Sequence, residues 1–307
     1  MDNNKPLASF CLVTYNQEKF VLDALKGAVC QTYDNLEIIV SDDCSQDRTF
    51  DIIQDFVSKY EGPHKFVLNR NEHNLGIAKH INKVLYELSK GEIILLAAGD
   101  DVSLPERTQV SVDFMLIHPE ISSLSFASEE CDANLLPKKN TFRENITPNH
   151  NSILTLEDYV YLSDFILFPG DSRVLRRSVL DAFPPLKYTK SEDMAFFFRS
   201  ILIGSVGYIR QPLVKYRIYG GNVTCKKEVD VEVVSQDRLN MYKQFKEDVN
   251  IAVQKGYIGE HNIPLINKKV ETLLNYLYGY IAPTPKHSKA YCLVKNIARK
   301  IASMILD

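Results

Sequence analysis

The sequence lacks the cysteine motifs that bind metals or carry out redox reactions. Its 307 residues include six cysteines and no tryptophan. No two cysteines form a Cys-x-x-Cys pair, and no histidine stands at zinc-ligand spacing from one, which argues against a structural zinc site and a dithiol redox site. A chain of this length can bury a core without cross-links, so we expect free thiols in a reducing compartment.

Long apolar segments are missing as well. The longest apolar run, residues 93–98, is far shorter than the about 20 residues of a membrane-spanning helix. The first residues carry no apolar stretch of signal-peptide length. We therefore expect a cytoplasmic protein, which at most lies on the inner face of the cytoplasmic membrane.

Neither sign of charge is in large excess. The 36 Lys and Arg residues and 39 Asp and Glu residues give a net charge of −3, so we expect no nucleic-acid partner. Glycine-rich phosphate loops of the dinucleotide-binding and P-loop types are absent too. A metal ion, rather than such a loop, would have to neutralise a bound diphosphate.

Strand and helix patterns alternate over the first ~125 residues. Short apolar runs predict strands at 7–14, 36–40, 65–69, 92–97 and 121–126. Helical spacing predicts helices at 18–29, 47–60 and 77–88, and another that starts near Pro105. Repeated strand–helix–strand units predict an α/β fold, with a doubly wound, mainly parallel sheet and helices on both faces. Ligands of such sheets bind beyond the carboxyl ends of the strands.

Polar and acidic residues follow each of the first four predicted strands. They are Thr14 to Asn16, Asp42 with Asp43, Asn69 to Gly76, and Asp100 with Asp101. Loops are polar in general, which explains any one of these groups. It explains less well the adjacent Asp100 and Asp101 directly after a buried strand, because neighbouring carboxylates repel each other. Mg²⁺ or Mn²⁺, bound together with phosphate oxygens, would satisfy this pair.

The second half of the chain is less regular. Residues 128–185 alternate polar and aromatic stretches, and we expect substrate loops there. A predicted helix over 191–204 begins with Ser191 as its cap, followed by Glu192 and Asp193. The helix dipole favours acids at this position, and one of them could also act as a general base. A strand over 206–216 follows, and the chain becomes helical after roughly residue 225.

The order of these motifs resembles the family 2 glycosyltransferases, which have the GT-A nucleotide-sugar-binding fold. The resemblance rests on residues 13–16, 31–40, 42–49, 74–79 with Asn82, 100–101, 192–193, and 216–222 with Thr224. It implies a catalytic domain over 1–225, with a nucleotide-sugar half at about 6–125 and an acceptor half at about 126–225, and a helical C-terminal extension over 226–307.

The resemblance also implies roles for individual residues. The nucleotide would be bound by Thr14, Tyr15, Asn16, Asp42, Asp43, Gly76, Lys79 and Asn82. Asp100 and Asp101 would hold Mg²⁺ or Mn²⁺, with Asp100 as the direct ligand. Asp193 would be the catalytic base, and Glu192 would help to position the acceptor.

Two positions depart from the family pattern. Ala98 stands where the metal motif usually has its first aspartate, and Tyr219 stands where the closing segment often has a histidine. The aspartate of the family contacts the ribose or the metal, and the histidine contacts the diphosphate or the metal. In this chain these contacts are absent or replaced.

By this resemblance the protein is an inverting, metal-dependent hexosyltransferase. We expect UDP-glucose or UDP-galactose as the donor and a hydroxyl of a glycan, lipid-linked, as the acceptor, in bacterial O-antigen or capsule synthesis. Transfer of rhamnose or an N-acetylhexosamine is the alternative within this fold. The alternatives of another class are a metal-dependent phosphohydrolase or nucleotidyltransferase, built from the aspartates at the strand ends, and a non-catalytic protein that binds nucleotide sugars.

Apolar residues recur at helical spacing over 288–305 near the end of the chain. Residues 286–307 hold five Lys or Arg and one acid, although the chain as a whole is negative. A helix packed on the domain with a solvated basic face explains this pattern. An amphipathic helix that lies on an anionic membrane surface, close to a lipid-linked acceptor, explains it as well.

Overall fold

The computed structural model describes residues 5–139, 147–161, 169–220 and 231–281. The strands are β1 (Ala8–Thr14), β2 (Leu36–Asp42), β3 (Lys65–Arg70), β4 (Ile93–Ala98), β5 (Val102–Ser103), β6 (Ile121–Cys131), β7 (Ser152–Leu154), β8 (Val174–Arg176) and β9 (Ser205–Arg217). The helices are α1 (Val21–Val29), α2 (Thr49–Ser58), α3 (Ile77–Lys83), α4 (Arg107–Ile117), α5 (Leu156–Tyr161), α6 (Arg177–Ala182), α7 (Glu192–Ile203), α8 (Val231–Gln254) and α9 (Ile263–Ile281). A π-helical turn, Val84–Leu88, continues α3.

These strands form one sheet. Its order is β3–β2–β1–β4–β8–β6–β9–β5, with β7 paired to β9. Strands β3, β2, β1 and β4 are parallel to one another, and β6 is parallel to β9. Strand β8 runs antiparallel between β4 and β6. The predicted α/β fold with a mainly parallel sheet is confirmed, and so is a helical C-terminal region, which α8 and α9 form.

The central strands are apolar along their length because hydrophobic cores cover both faces of the sheet. Phe10 and Leu12 of β1 lie in one core, together with apolar residues of α1 and α2. Cys11, between them, lies in the other core, with residues of α3, α7 and α8. Successive side chains of a strand point to opposite faces, so a strand covered on both sides shows a continuous apolar run.

The second half of the sheet departs from the sequence pattern in its short strands and in the length of β6. Strands β5, β7 and β8 are not predicted, because their two or three residues are too few to show a periodicity. Strand β6 continues to Cys131, beyond the predicted 121–126, because β9 pairs with it over its whole length. The pattern of polar residues at 128–130 reflects this second, partly exposed part of β6.

Helix α8 packs on α7 through a buried ion pair and an aromatic stack. The Arg199 guanidinium donates from Nε and Nη2 to the two oxygens of Asp248, each at 2.9 Å, and both side chains are fully buried. The rings of Phe198 and Phe245 stack with their centroids 4.1 Å apart. The helical C-terminal region therefore shares a core with the sheet, and a domain boundary at residue 225 stays a prediction.

The described residues test only part of what the sequence predicts about the end of the chain and about the membrane. The amphipathic helix predicted over 288–305 lies outside the described residues, as do Asn222 and Thr224 of the closing motif. Among the helices that the structure does describe, none is both long and apolar enough to cross a membrane.

Removing the Asp248 carboxylate should destabilise the fold strongly. In Asp248→Ala the Arg199 guanidinium stays buried without its carboxylate, and we expect the free energy of unfolding to fall by about 3–5 kcal/mol. Urea unfolding followed by circular dichroism measures this loss. Asp55→Ala is the matched control, because it removes only an exposed ion pair with Lys59 on α2. Equal losses in the two variants would contradict the importance of the buried pair.

Candidate active site

The carboxyl ends of β1 and β2 are joined through Asp42. Thr14 and Asp42 are register partners, and the Thr14 hydroxyl donates to Asp42 Oδ1 at 3.2 Å. The fully buried Asp42 carboxylate also accepts the Ser45 amide at 2.8 Å and lies 3.7 Å from Arg70 Nε. Thr14 and Asp42 therefore lie buried at the carboxyl ends of β1 and β2, and Asp42 holds the loop after β2 in place. Their contact with a nucleotide stays a prediction.

Asp43 holds the loop that follows β3. Its Oδ1 accepts the Leu75 amide at 2.9 Å and the Asn71 side-chain amide at 2.8 Å, and its Oδ2 accepts the Gly76 amide at 3.0 Å. Gly76 has a φ of 76°, a conformation that favours glycine. Asp43 and Gly76 thus act as one unit that sets the start of α3, whose first turn carries the exposed side chain of Lys79.

Tyr15 presents its ring to solvent at this edge of the sheet. Its side chain is 44% exposed. The next residue, Asn16, has a φ of 52°, donates its amide to Ser45 Oγ at 2.8 Å and accepts the Gln46 amide on its side chain at 2.8 Å. The loop after β1 is therefore tied to the loop after β2, and it leaves an open aromatic face beside the strand ends.

Asn82 makes its hydrogen bonds away from the strand ends. Its side-chain amide donates to the Leu186 carbonyl at 2.8 Å, and its side-chain oxygen accepts the Leu186 amide at 2.9 Å. Asn82 therefore ties α3 to the segment that leads into α7. The part in nucleotide binding that the resemblance implies for Asn82 stays a prediction.

Asp100 and Asp101 form a tight turn after β4. The turn needs Gly99, because a Cβ there would lie 2.4 Å from the Gln17 side-chain oxygen and 2.6 Å from Thr14 Cγ2. Asp101 is buried, and its Oδ1 accepts the Arg217 amide at 2.8 Å. Asp100 is only half-buried and accepts the Tyr219 hydroxyl at 3.1 Å.

The electrostatics of this turn come from burial and from two residues of the closing segment. Burial raises the pKa of Asp100, and the hydrogen bond from Tyr219 opposes this. Below the turn, the buried Arg217 donates from Nε to the Asp100 carbonyl at 2.8 Å, and its Nη2 pairs with Asp23 at 3.0 Å. In the sequence Arg217 is only one residue of the motif at 216–222, and its supporting role has no sequence signal because it depends on the pairing of β9 with β5 and β6.

The acidic turn fits a hard divalent cation in the chemistry of its donors. Asp100 and Asp101 offer carboxylate oxygens, which Mg²⁺ and Mn²⁺ prefer. Over residues 5–139, 147–161, 169–220 and 231–281, no three His, Cys, Asp or Glu side chains are grouped to hold a metal. A cation at this turn would therefore take its remaining ligands from phosphate oxygens and water.

Glu192 and Asp193 begin α7 at the same edge of the sheet. The Arg173 carbonyl, just before β8, accepts the Leu96 amide near the end of β4 at 2.9 Å. Gly170, whose carbonyl accepts the Arg173 amide at 3.1 Å, packs against Asp193. A Cβ on Gly170 would lie 2.6 Å from Asp193 Cβ, so this approach needs a glycine. The second acidic pair therefore stands on the sheet edge where β4 ends.

This second pair holds a proton near neutral pH. Burial and the Asp193 carboxylate raise the pKa of Glu192 to about 8. Burial lowers the pKa of the nearby Arg173 to about 10, which leaves that guanidinium charged beside the acids. Near neutral pH Glu192 therefore carries a proton. Arg173 comes from the irregular region and carries no sequence signal of its own.

The two acidic groups can serve two different chemical tasks. The turn at Asp100 and Asp101 suits a cation and the phosphate groups that it binds. The pair at Glu192 and Asp193 suits proton transfer, because it offers two adjacent carboxyl groups and the Glu192 carboxyl changes its charge state near neutral pH. An edge that combines both is suited to breaking a bond to a phosphate while a hydroxyl loses its proton.

Comparison with known proteins finds similar sequences among the glycosyltransferases. The family model described as glycosyl transferase family 2 matches residues 9–183. An uncharacterized glycosyltransferase of Haemophilus influenzae is 22% identical over 299 residues, which cover 90% of this chain and 86% of that protein.

Solved structures share the fold. TarS of S. aureus, residues 1–349 in complex with UDP-GlcNAc, superposes with a TM-score of 0.62 at 17% identity, over 96% of this chain and 92% of that one. A mannosyltransferase of Pyrobaculum calidifontis, in complex with GDP-Man and Mn²⁺, has a TM-score of 0.55 at 15% identity, over 99% of this chain and 88% of that one.

Replacing Glu192 by glutamine should change how stability depends on pH. The pKa of about 8 in the folded protein exceeds the ordinary 4.5, so between these pH values the folded state keeps a proton that the unfolded state releases. Through this group the stability of the wild type falls as the pH rises across that window. We therefore expect the melting temperature of Glu192→Gln, relative to wild type, to rise from about pH 5 to about pH 8.

The control for this measurement is Glu157→Gln. Glu157 is an exposed acid in the first turn of α5, so the chemical change is the same. A constant difference from wild type is expected for this control. The same constant difference for Glu192→Gln would contradict the raised pKa of Glu192.

Proposed function

The chain belongs to glycosyltransferase family 2, and on this premise we propose that it is an inverting, metal-dependent hexosyltransferase. It would move a hexose from a nucleoside diphosphate sugar to a hydroxyl of a glycan. The observation that carries this proposal is the presence of two acidic groups at one sheet edge, one at Asp100 and Asp101 and one at Glu192 and Asp193. The first suits a metal diphosphate, and the second suits the deprotonation of an acceptor.

The donor side is assigned to the loops after β1, β2 and β3. We propose that the nucleobase stacks on the exposed Tyr15 ring, on a floor made by Thr14, Asn16, Asp42 and Asp43. The diphosphate would lie towards Gly76 and the ammonium group of Lys79 in the first turn of α3. Asn82, also on α3, would help to bind the donor by keeping α3 in place through its hydrogen bonds to Leu186.

A divalent metal belongs to this proposal. Asp100 and Asp101 would hold Mg²⁺ or Mn²⁺, which would stabilise the negative charge of the leaving diphosphate. Tyr219, where the family often has histidine, would keep Asp100 in place through its hydroxyl. Support for a metal comes from the donor atoms of the turn and from the mannosyltransferase of the same fold that binds GDP-Man and Mn²⁺.

The acceptor side is assigned to α7. Asp193 would take the proton of the acceptor hydroxyl while that oxygen forms a bond to the anomeric carbon and the diphosphate leaves from the opposite face with the electron pair of the broken bond. This displacement inverts the anomeric configuration. Glu192, which is protonated near neutral pH, would donate a hydrogen bond that orients the acceptor.

We propose UDP-glucose or UDP-galactose as the first donors to test. TarS, which shares the fold, binds UDP-GlcNAc, so UDP-N-acetylhexosamines are the second candidate, and dTDP-rhamnose is the third. The proposed acceptor is a lipid-linked glycan of bacterial surface-polysaccharide synthesis. The protein would then work on the cytoplasmic face of the membrane, where the basic segment 286–307 would contact anionic lipid.

A donor screen tests the proposed function. Thermal-shift measurements with each nucleotide sugar and MnCl₂ identify the donor, and nucleotide release is then followed with and without glycan acceptors. We expect release only when an acceptor is present. Release that ignores the acceptor would favour the phosphohydrolase alternative, and binding without any transfer would favour the non-catalytic one.

Asp193→Asn should abolish transfer while donor binding survives. The amide keeps the shape of the carboxylate and loses its basicity, so we expect kcat to fall by about 10²–10⁴-fold. Nucleotide binding is followed by isothermal titration with UDP and MnCl₂. Asp181→Asn, an exposed change on the neighbouring α6, is the control and should keep full activity. Substantial transfer by Asp193→Asn would mean that another group is the base.

Asp100→Ala should weaken metal-dependent nucleotide binding. Loss of one charged contact of about 1.5–3 kcal/mol corresponds to at least about a tenfold weaker affinity for UDP in MnCl₂. The affinity without metal should change little. Asp34→Ala, an exposed acid after α1, should bind UDP as the wild type does. Full affinity of the wild type in excess EDTA would contradict the metal site.

A further inference from the structure

Helix α8 holds the segment that leads into the proposed catalytic pair. Asp237 of α8 accepts the Lys190 amide at 2.7 Å and the Thr189 hydroxyl at 3.4 Å on Oδ1, and the Ser191 hydroxyl at 2.6 Å on Oδ2. The Thr189 hydroxyl oxygen in turn accepts the Ser191 amide at 3.0 Å. One carboxylate therefore gathers the three residues that directly precede Glu192.

Ser191 does not cap its own helix in the way that the sequence predicts. It occupies the N-cap position of α7, but its side chain makes no hydrogen bond to the first turn. Its hydroxyl donates to Asp237 instead. The expected local bond is thus replaced by a bond to another helix, and the direction in which α7 begins depends on α8.

The same face of α8 makes a second set of contacts with this segment. The side-chain oxygen of Gln244 accepts the Lys187 amide at 2.9 Å and the Tyr188 amide at 3.3 Å. The side-chain nitrogen of Gln244 donates at 3.1 Å to Asp248, the buried partner of Arg199. Residues 237, 244 and 248 lie on one helix face by their spacing, so α8 holds residues 187–191 along two turns and is itself anchored to α7.

The charges of α8 also reach the acidic pair. Asp237 contributes to the raised pKa of Glu192. Arg238, half-buried on α8, lies within electrostatic range of Asp193, which opposes the lowering of the Arg238 pKa by burial. Both observations place this turn of α8 beside the start of α7.

We propose that Asp237 is a positioning residue for glycosyl transfer, which sets the place of Asp193 by holding residues 189–191. The proposal rests on the proposed function, in which Asp193 takes the acceptor proton. It makes α8, which lies beyond the matched segment 9–183, a part of the active site. A base that is displaced by about 1 Å can lose about 10²-fold in rate, so a loose α7 start would be costly for transfer.

The test compares Asp237→Ala, Asp237→Asn and Glu247→Gln. Alanine removes both carboxylate oxygens that accept hydrogen bonds from residues 189–191. Asparagine keeps one of these oxygens, and its side-chain nitrogen can donate a hydrogen bond to the Ser191 hydroxyl oxygen. Glu247→Gln is the matched control, because Glu247 lies on the same helix and bonds only the Lys187 ammonium in this segment, at 2.6 Å. All variants are made in the full chain.

Three measurements are made on each variant. Hydrogen exchange measures how well the amides of residues 190–191 are protected. Titration with UDP and MnCl₂ measures the number of intact nucleotide-binding sites, and initial rates of transfer measure kcat. For Asp237→Ala we expect faster exchange at these amides, wild-type affinity and stoichiometry for UDP, and a kcat lower by about 10–100-fold. Asp237→Asn should recover most of the rate, and Glu247→Gln should match the wild type throughout.

Several results would overturn the proposal. A wild-type kcat in Asp237→Ala would do so, and so would a lower kcat accompanied by an equal loss of UDP sites, since that marks misfolded protein. If asparagine restored none of the lost rate, the hydrogen bonds would not be the cause. If the wild type transferred no sugar, the proposed function would fail. Unchanged hydrogen exchange at the amides of residues 190–191 in Asp237→Ala would separately show that Asp237 does not hold this segment.

Discussion

The burial of carboxyl groups at one edge of the sheet is the constraint on which this structure depends. The groups belong to Asp42, Asp43, Asp100, Asp101, Glu192 and Asp193. A buried carboxylate is tolerated only where donors or cations satisfy it. Asp42 and Asp43 meet this condition with hydroxyl and amide donors from the surrounding loops, which gives those loops their shape. For Asp100 and Glu192, burial instead raises the pKa, and these two border the proposed chemistry.

The two halves of the site are built by different means. On the donor side, loops after adjacent parallel strands hold one another, so short-range hydrogen bonds such as that from Asn16 to Ser45 suffice. On the acceptor side, α7 follows an irregular region and needs support from elsewhere. Asn82 supports the approach to α7 from one side, and α8 supports it from the other, anchored through Arg199 and Asp248. Packing of α8 on α7 thus supports the segment that carries the proposed acceptor side of the site.

The sequence was most informative where structure is local and periodic. The predicted strands over 7–14 and 36–40 lie close to the observed β1 and β2, because strands buried on both faces must be continuously apolar. The predicted strand over 65–69 also lies close to β3, although the side chains of β3 are partly exposed at the edge of the sheet. The acidic residues at their ends could be named for the same reason, since parallel strands bring their carboxyl ends together. Partners such as Arg173, Arg217 and Asp237 could not be named, because each meets its partner only through contact between segments far apart in the chain.

By itself the sequence determined the fold class, the family and the two acidic motifs, because apolar periodicity and motif order are written in neighbouring residues. Only the tertiary structure decided which carboxylates serve as scaffold and which stay at the edge, because that depends on donors from other segments. It also decided that the Ser191 hydroxyl bonds Asp237 and not its own helix. Which partner a side chain bonds depends on the groups that the folded chain brings within hydrogen-bond distance, and a local sequence pattern does not contain that information.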